Sequence, residues 1–117
     1  MNTAVSVLDL MMIGDGQKFS DTLHGAKMLA QKVEEVGYKR YWIAEHHDMP
    51  GIGSSATTTI IQYLANATKS LKIGAGGIML PNHPTLIVAE QFATLDAIFP
   101  DRIDLGVGRA PGAAGPA

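Results

Sequence analysis

The chain contains no cysteine, which removes disulfide frameworks and thiolate chemistry from consideration and leaves the redox compartment open. It also lacks any stripe of Lys and Arg interleaved with aromatic residues. Its charges alternate in sign without blocks and sum to −2 over 117 residues, so nucleic acid is not an expected partner. No apolar run is long enough to cross a bilayer. The opening MNTAVSVLDLMMIGDG has no basic segment before its apolar stretch, and Asp9 interrupts that stretch. The expectation is therefore a cytoplasmic chain without a membrane partner. What is present is a hydrophobic fraction of 46%, enough for one globular core.

Val5 to Leu10 reads as a strand buried on both faces, followed by a loop through Gly14, Asp15 and Gly16. Ser20 stands before Leu23, Ala26, Leu29, Ala30, Val33 and Val36 at helical spacing, and Gly37 follows where a left-handed C-cap belongs. Tyr41 to Ala44 is the second strand. GIGSSATTTIIQYLANATKS holds the second helix, with Ser54 or Ser55 as cap and Ile60, Ile61, Leu64 and Ala65 as its apolar face. Leu71 to Ala75 is the third strand and GGIMLPNH a loop. Pro84 suits a first helical turn, and the third helix runs through Phe92, Leu95 and Ile98 to Phe99-Pro100. Arg102 to Val107 is the fourth strand. Strands alternating with helices imply right-handed crossovers and a parallel α/β sheet. Such a pattern is either a small open sheet or the first half, about four β-α units, of a (β/α)8 TIM barrel, which normally takes about 250 residues. Length favours the small sheet, and the pattern alone does not decide; residues 110–117 read as a Gly/Ala/Pro-rich tail.

In parallel α/β folds ligands sit at the carboxyl ends of the strands. Three such ends carry polar or glycine-rich residues: AEHHD, GAGGIMLPNH and GVGRAPG. A metal on Glu45, His46, His47 and Asp48 is not expected, because adjacent residues of an extended segment point to opposite sides. His47 reads as an ordinary hydrogen-bonded loop residue. His46, a neutral imidazole at a strand tip, is suited to act as acid, base or donor. The glycines at Gly74 to Gly77 and Gly106 to Gly112 have two readings, relief of crowding or a backbone bare enough for a flat ring to lie against. Gly51 to Ser55 fits either an anion at a helix start or plain capping. Arg109 has the guanidinium geometry for a phosphate, with a solvated surface arginine as the competing reading. His83 reads as a cap of the third helix, and the methionines as packing residues.

Taken in order, VSVLDL, GYKRYWIAEHHDMPGI and KIGAGGIMLPNHPTLIVAEQFATLDAIFPDRIDLGVGRAPG resemble the N-terminal half of the bacterial luciferase-like flavin monooxygenases, in particular the alkanal-monooxygenase-like members that emit no light. The resemblance implies that residues 1–117 form a single partial domain, the first half of a TIM barrel. It implies that His46 matches the active-site histidine, with Glu45 in the same pocket. It places Gly76 and Gly77 where the family often has a non-proline cis peptide beneath the flavin ring, Met79 near that ring, and Arg109 at the FMN phosphate. The implied reaction uses reduced FMN from a separate reductase and O2 to form a flavin C4a-peroxide, which oxygenates an aldehyde or another small organic substrate. F420 is the alternative cofactor and a non-catalytic flavin-binding half-barrel the alternative role. Two open sheet edges imply a homo-oligomer or a C-terminal half supplied from elsewhere.

Overall fold

A computed structural model describes residues 3–113. Four strands and three helices alternate: β1 (Ser6–Asp9), α1 (Phe19–Glu35), β2 (Arg40–Ile43), α2 (Thr57–Asn66), β3 (Lys72–Met79), a 3₁₀ turn (Leu80–Asn82), α3 (Thr85–Ile98) and β4 (Ile103–Gly108). The sheet runs β1-β2-β3-β4 with every pairing parallel. Sequential order with a helix after each of the first three strands is the repeating unit of a (β/α)8 barrel, here in four consecutive strands.

The helices cover one face of the sheet. Tyr41, Ile43, Ile73 and Ala75 are fully buried there against Ala30, Ile61 and Leu64. The spacing of Ile60, Ile61, Leu64 and Ala65 put all four on the buried face of α2, as their periodicity predicts. α1 and α3 bury narrower stripes than expected. Leu29, Val36 and Ile98 are exposed, while Ala26, Ala30, Val33, Phe92 and Leu95 carry the packing.

The opposite face carries the register row Leu8, Trp42, Gly74 and Asp104. β1 is not buried on both faces: Leu8 is 60% exposed, because no described residue covers this edge strand on its open side. Arg40 and Asp104 form an ion pair of 2.8 Å that reaches from β2 to β4 across β3. At the tip of β1, Asp9 accepts hydrogen bonds from the Met11 N–H and the Tyr41 hydroxyl. Burial and that carboxylate push the Tyr41 hydroxyl far above its ordinary titration range.

β3 extends beyond its predicted end. Gly76, Gly77, Ile78 and Met79 continue the strand rather than forming a loop, with a register irregularity against β4 between Ala75 and Ile78. The Gly76-Gly77 peptide bond is cis, as the family resemblance implies. The serines expected to cap α2 do not: Ser54 is fully buried and donates its hydroxyl to the Leu10 carbonyl. α1 starts at Phe19, so Ser20 lies within the helix rather than before it, and Asp21 accepts the N–H of the cap residue Lys18 at 2.9 Å.

The ends of the strands remote from the glycines are fastened by two charged side chains. Glu34, near the end of α1, accepts backbone N–H groups of Lys69, Ser70 and Leu71 at 2.9, 2.7 and 2.7 Å. Arg102 donates to the carbonyls of Leu71 and Ala65 and to the Thr68 hydroxyl. Although burial pushes the Glu34 carboxyl up, the backbone donors outweigh it and hold the group below its ordinary range. Its stabilising contribution is present above the unfolded-state pKa and declines as pH falls. Glu34→Ala is expected to lower unfolding free energy by about 1–2 kcal/mol, read from urea melts at neutral pH. An unchanged midpoint would contradict this clamp.

Candidate active site

β2 delivers its chain end to a crowded polar junction. Glu45 is 2% exposed, and a bare carboxylate at that depth requires partners. It has four. One oxygen accepts the Met79 N–H at 3.1 Å and faces His83 Nε2 at 2.8 Å. The other accepts Asn82 Nδ2 at 2.9 Å and faces His47 Nε2 at 2.6 Å. Burial pushes the carboxyl up, but the donors from Asn82, His47, His83 and Met79 outweigh it and bring its pKa down to about 2. Glu45 is therefore an ionised hub joining the ends of β2 and β3 and the turn after β3.

The segment after β4 closes onto this hub. The His47 N–H donates to the Gly112 carbonyl at 2.7 Å, Asn82 Nδ2 to the Pro111 carbonyl at 2.6 Å, and His47 and Ala113 form a parallel bridge. Gly112 has φ +73°, and a Cβ there would lie 2.7 Å from the Glu45 carbonyl oxygen, so a side chain is excluded on two counts. Residues 111–113 of the expected tail are thus docked against the site rather than trailing from it. Residues 114–117 lie outside the described residues.

His46 occupies the other side of the tip. Its N–H donates to the Ser54 carbonyl at 2.9 Å, and Ser54 is itself tied to Leu10, so two loops set the position of the histidine. His46 Nδ1 is buried and, among the described residues, has no hydrogen-bond partner. Buried polar atoms are nearly always paired, which makes this atom a candidate contact for a ligand.

A pocket of about 340 Å³ lies against β3 and β4, lined by Leu8, Trp42, Gly76, Gly77, Gly106 and Val107, together with Ala75. Its volume falls in the range of small-molecule sites. Crowding accounts for part of the glycine pattern: a Cβ on Gly106 would lie 2.5 Å from the Ala75 carbonyl oxygen, and one on Gly77 3.0 Å from Gly106. The same bare backbone leaves the pocket floor flat beside Trp42. Crowding thus applies at Gly77 and Gly106, and both also line the pocket.

The predicted site residues separate into groups. Gly76 and Gly77 line the pocket; Glu45 lies in the hub; His46 stands next to it in the chain with its free ring nitrogen. Met79 joins the hub through its backbone, while its side chain packs against the positions of Gly108 and Gly112 and does not line the pocket. Arg109 is exposed immediately after β4. His83 does not cap α3, and His47 is more than an ordinary loop residue: both hold Glu45. Asn82, His83, Ser54 and Trp42 are the participants that sequence reasoning missed. The signal for Asn82 and His83 was their place in PNHP, directly after a strand end already expected to face the ligand. Among the described residues no group of three or more His, Asp or Glu is arranged to hold a metal ion, and no helix is long and apolar enough to cross a membrane.

Comparison with known proteins bears on this arrangement. Residues 4–115 match the family model of luciferase-like monooxygenases. A luciferase-like monooxygenase of Escherichia coli K12 is 52% identical over 93% of the chain, which covers 32% of that relative. An N-acetyl-S-alkylcysteine monooxygenase of Bacillus subtilis is 47% identical over 92% of the chain, again 32% of the relative. The crystal structure of apo-MsnO8 superposes with a TM-score of 0.90 at 37% identity, over 93% of this chain and 33% of that one. The chain thus spans about a third of the length of the curated relatives it matches, less than the half that four barrel strands suggest.

Proposed function

The chain belongs to the luciferase-like monooxygenase family, and we propose that its strand ends form the flavin-facing part of an FMN-dependent monooxygenase site. The observation that carries this reading is the glycine-floored pocket beside Trp42, with the unpartnered His46 Nδ1 at the neighbouring strand end. A planar apolar ring fits a floor of backbone and an indole wall. Reduced FMN, when bound, supplies the activation of O2. This chain's residues bind the ring, keep water from it, and hold a proton donor or acceptor at His46, whose backbone is anchored by Ser54. Arg109 is assigned to the phosphate because it is a cation at the end of β4, within the strand-end face.

The substrate is an aldehyde or another small organic molecule; a thioether of the kind named for the Bacillus subtilis relative belongs in the first panel. A flavin reductase supplies the reduced cofactor. The exposed apolar residues Leu8, Leu105 and Val107 are covered by the remaining strands and helices of the barrel or by a second copy of the chain. Light scattering of the chain alone is expected to show self-association; a monodisperse monomer would exclude the second copy.

Equilibrium titration with FMN, riboflavin and F420 tests the cofactor. FMN is expected to bind saturably and riboflavin more weakly. Arg109→Ala should weaken FMN binding roughly tenfold, the effect of one charge-assisted contact, and leave riboflavin unchanged. Preferential binding of F420 would move the chain to the deazaflavin branch. Equal losses for FMN and riboflavin would remove Arg109 from the phosphate.

A further inference from the structure

We infer that Glu45 is a positioning residue that fixes His47 and His83 in one tautomer, making them a pair of carboxylate-oriented proton acceptors separate from His46. The geometry leaves little choice. An ionised carboxylate only accepts hydrogen bonds, so a ring nitrogen within 2.6 or 2.8 Å of it must carry the hydrogen. Both histidines meet Glu45 through Nε2, one on each oxygen. In the neutral ring the proton therefore sits on Nε2 in both, and Nδ1 holds the free lone pair. The remaining acceptor positions of Glu45 are taken by Met79 N–H and Asn82 Nδ2, and Asn82 is held in turn by Pro111. The carboxylate thus cannot rotate to release either ring without losing a second partner.

The arrangement follows the logic of an acid oriented through a histidine: the carboxylate sets the tautomer and stabilises the ring when it takes a proton. Uptake at Nδ1 converts the neutral ring to imidazolium while Nε2–H stays on Glu45, and release reverses it; no other bond changes. His83 also lines a cavity of about 80 Å³ with Glu45, Ser55, Thr57, Thr58 and Gln91. That space has room for about two waters and offers polar partners for them, and waters held there would exchange protons with His83. His46 has no such orientation, its Nδ1 being unpaired. The inference concerns the apo chain and stands apart from flavin binding.

The test is nitrogen-15 NMR of the chain with labelled histidine at alkaline pH, with signals assigned through His47→Gln and His83→Gln. Both rings are expected to show a protonated Nε2 and an unprotonated Nδ1. A protonated Nδ1 in either neutral ring would overturn the inference, whatever the flavin titration gives. Glu45→Gln adds a second reading. Its amide has one accepting and one donating end, and the fixed Met79 N–H selects the oxygen for the His83 side. The NH2 then faces both Asn82, whose amide must turn its oxygen toward it, and His47, whose proton is expected to move to Nδ1, while His83 and His46 keep their spectra. Unchanged tautomers for both His47 and His83 in the folded variant would also overturn it. If that variant does not fold, the unsubstituted chain still decides.

Discussion

Glu45→Ala is expected to lower the unfolding free energy by about 3–5 kcal/mol, because removing one partner of a buried charged network strands the others. The Met79 N–H and two imidazoles lose their acceptor at once, and Asn82 Nδ2 is left with the Pro111 carbonyl alone. The 80 Å³ cavity beside the carboxylate also enlarges. The same group gives a pH signature. Its folded pKa of about 2 lies below the ordinary 4.5, so its contribution is fully present above about 4.5 and is lost as pH falls toward 2. The size is on the order of 3 kcal/mol. Urea melts at pH 7 and pH 3 measure both effects. The unsubstituted chain should lose stability between the two, and the alanine variant should lose less. A variant within 1 kcal/mol of the parent at pH 7 would mean that Glu45 is not the hub.

Gly74→Ala is the second large effect, at about 3 kcal/mol or more. A Cβ there would lie 2.6 Å from the Asp104 carbonyl oxygen, 2.8 Å from Trp42 Cζ3 and 2.9 Å from Asp104 Cβ. The carbonyl belongs to the paired strand β4, and Asp104 is held by Arg40, so neither obstacle moves aside without opening the sheet. Trp42 would shift with it, altering its emission. Gly25→Ala in α1 is the matched control: nothing lies within 4 Å of the new methyl, and helix propensity favours alanine by about 0.5–1 kcal/mol. Equal melts for the two variants would contradict the close packing of β3 on β4.

The order of strands and helices was legible because each element carries its own periodicity, most plainly the four-residue face of α2. The facing of the three strand ends followed from that order alone. Element ends were less legible. Gly76 and Gly77 read locally as a loop, yet Ala75 and Ile78 on either side of them pair with Leu105 and Val107 of β4 and carry the strand through, partners about 30 residues away that no local window contains. Ser54 has the side chain of a cap, and a tertiary bond to Leu10 claims it instead. The Glu45 hub was invisible for the same reason: its donors come from His47, Met79, Asn82 and His83, and all but His47 lie far along the chain. His46 was singled out for its residue type and place, and its unpaired Nδ1 is a property that only packing produces.

Trp42 is the single tryptophan of the chain and lines the glycine-floored pocket, so its fluorescence reports directly on what enters. Titrating the folded chain with FMN, corrected for inner-filter absorption, is expected to quench Trp42 emission saturably, with riboflavin giving the same quenching at higher concentration. Trp42 emission indifferent to FMN, while far-UV circular dichroism shows the chain folded, would contradict a flavin site on this face of the sheet.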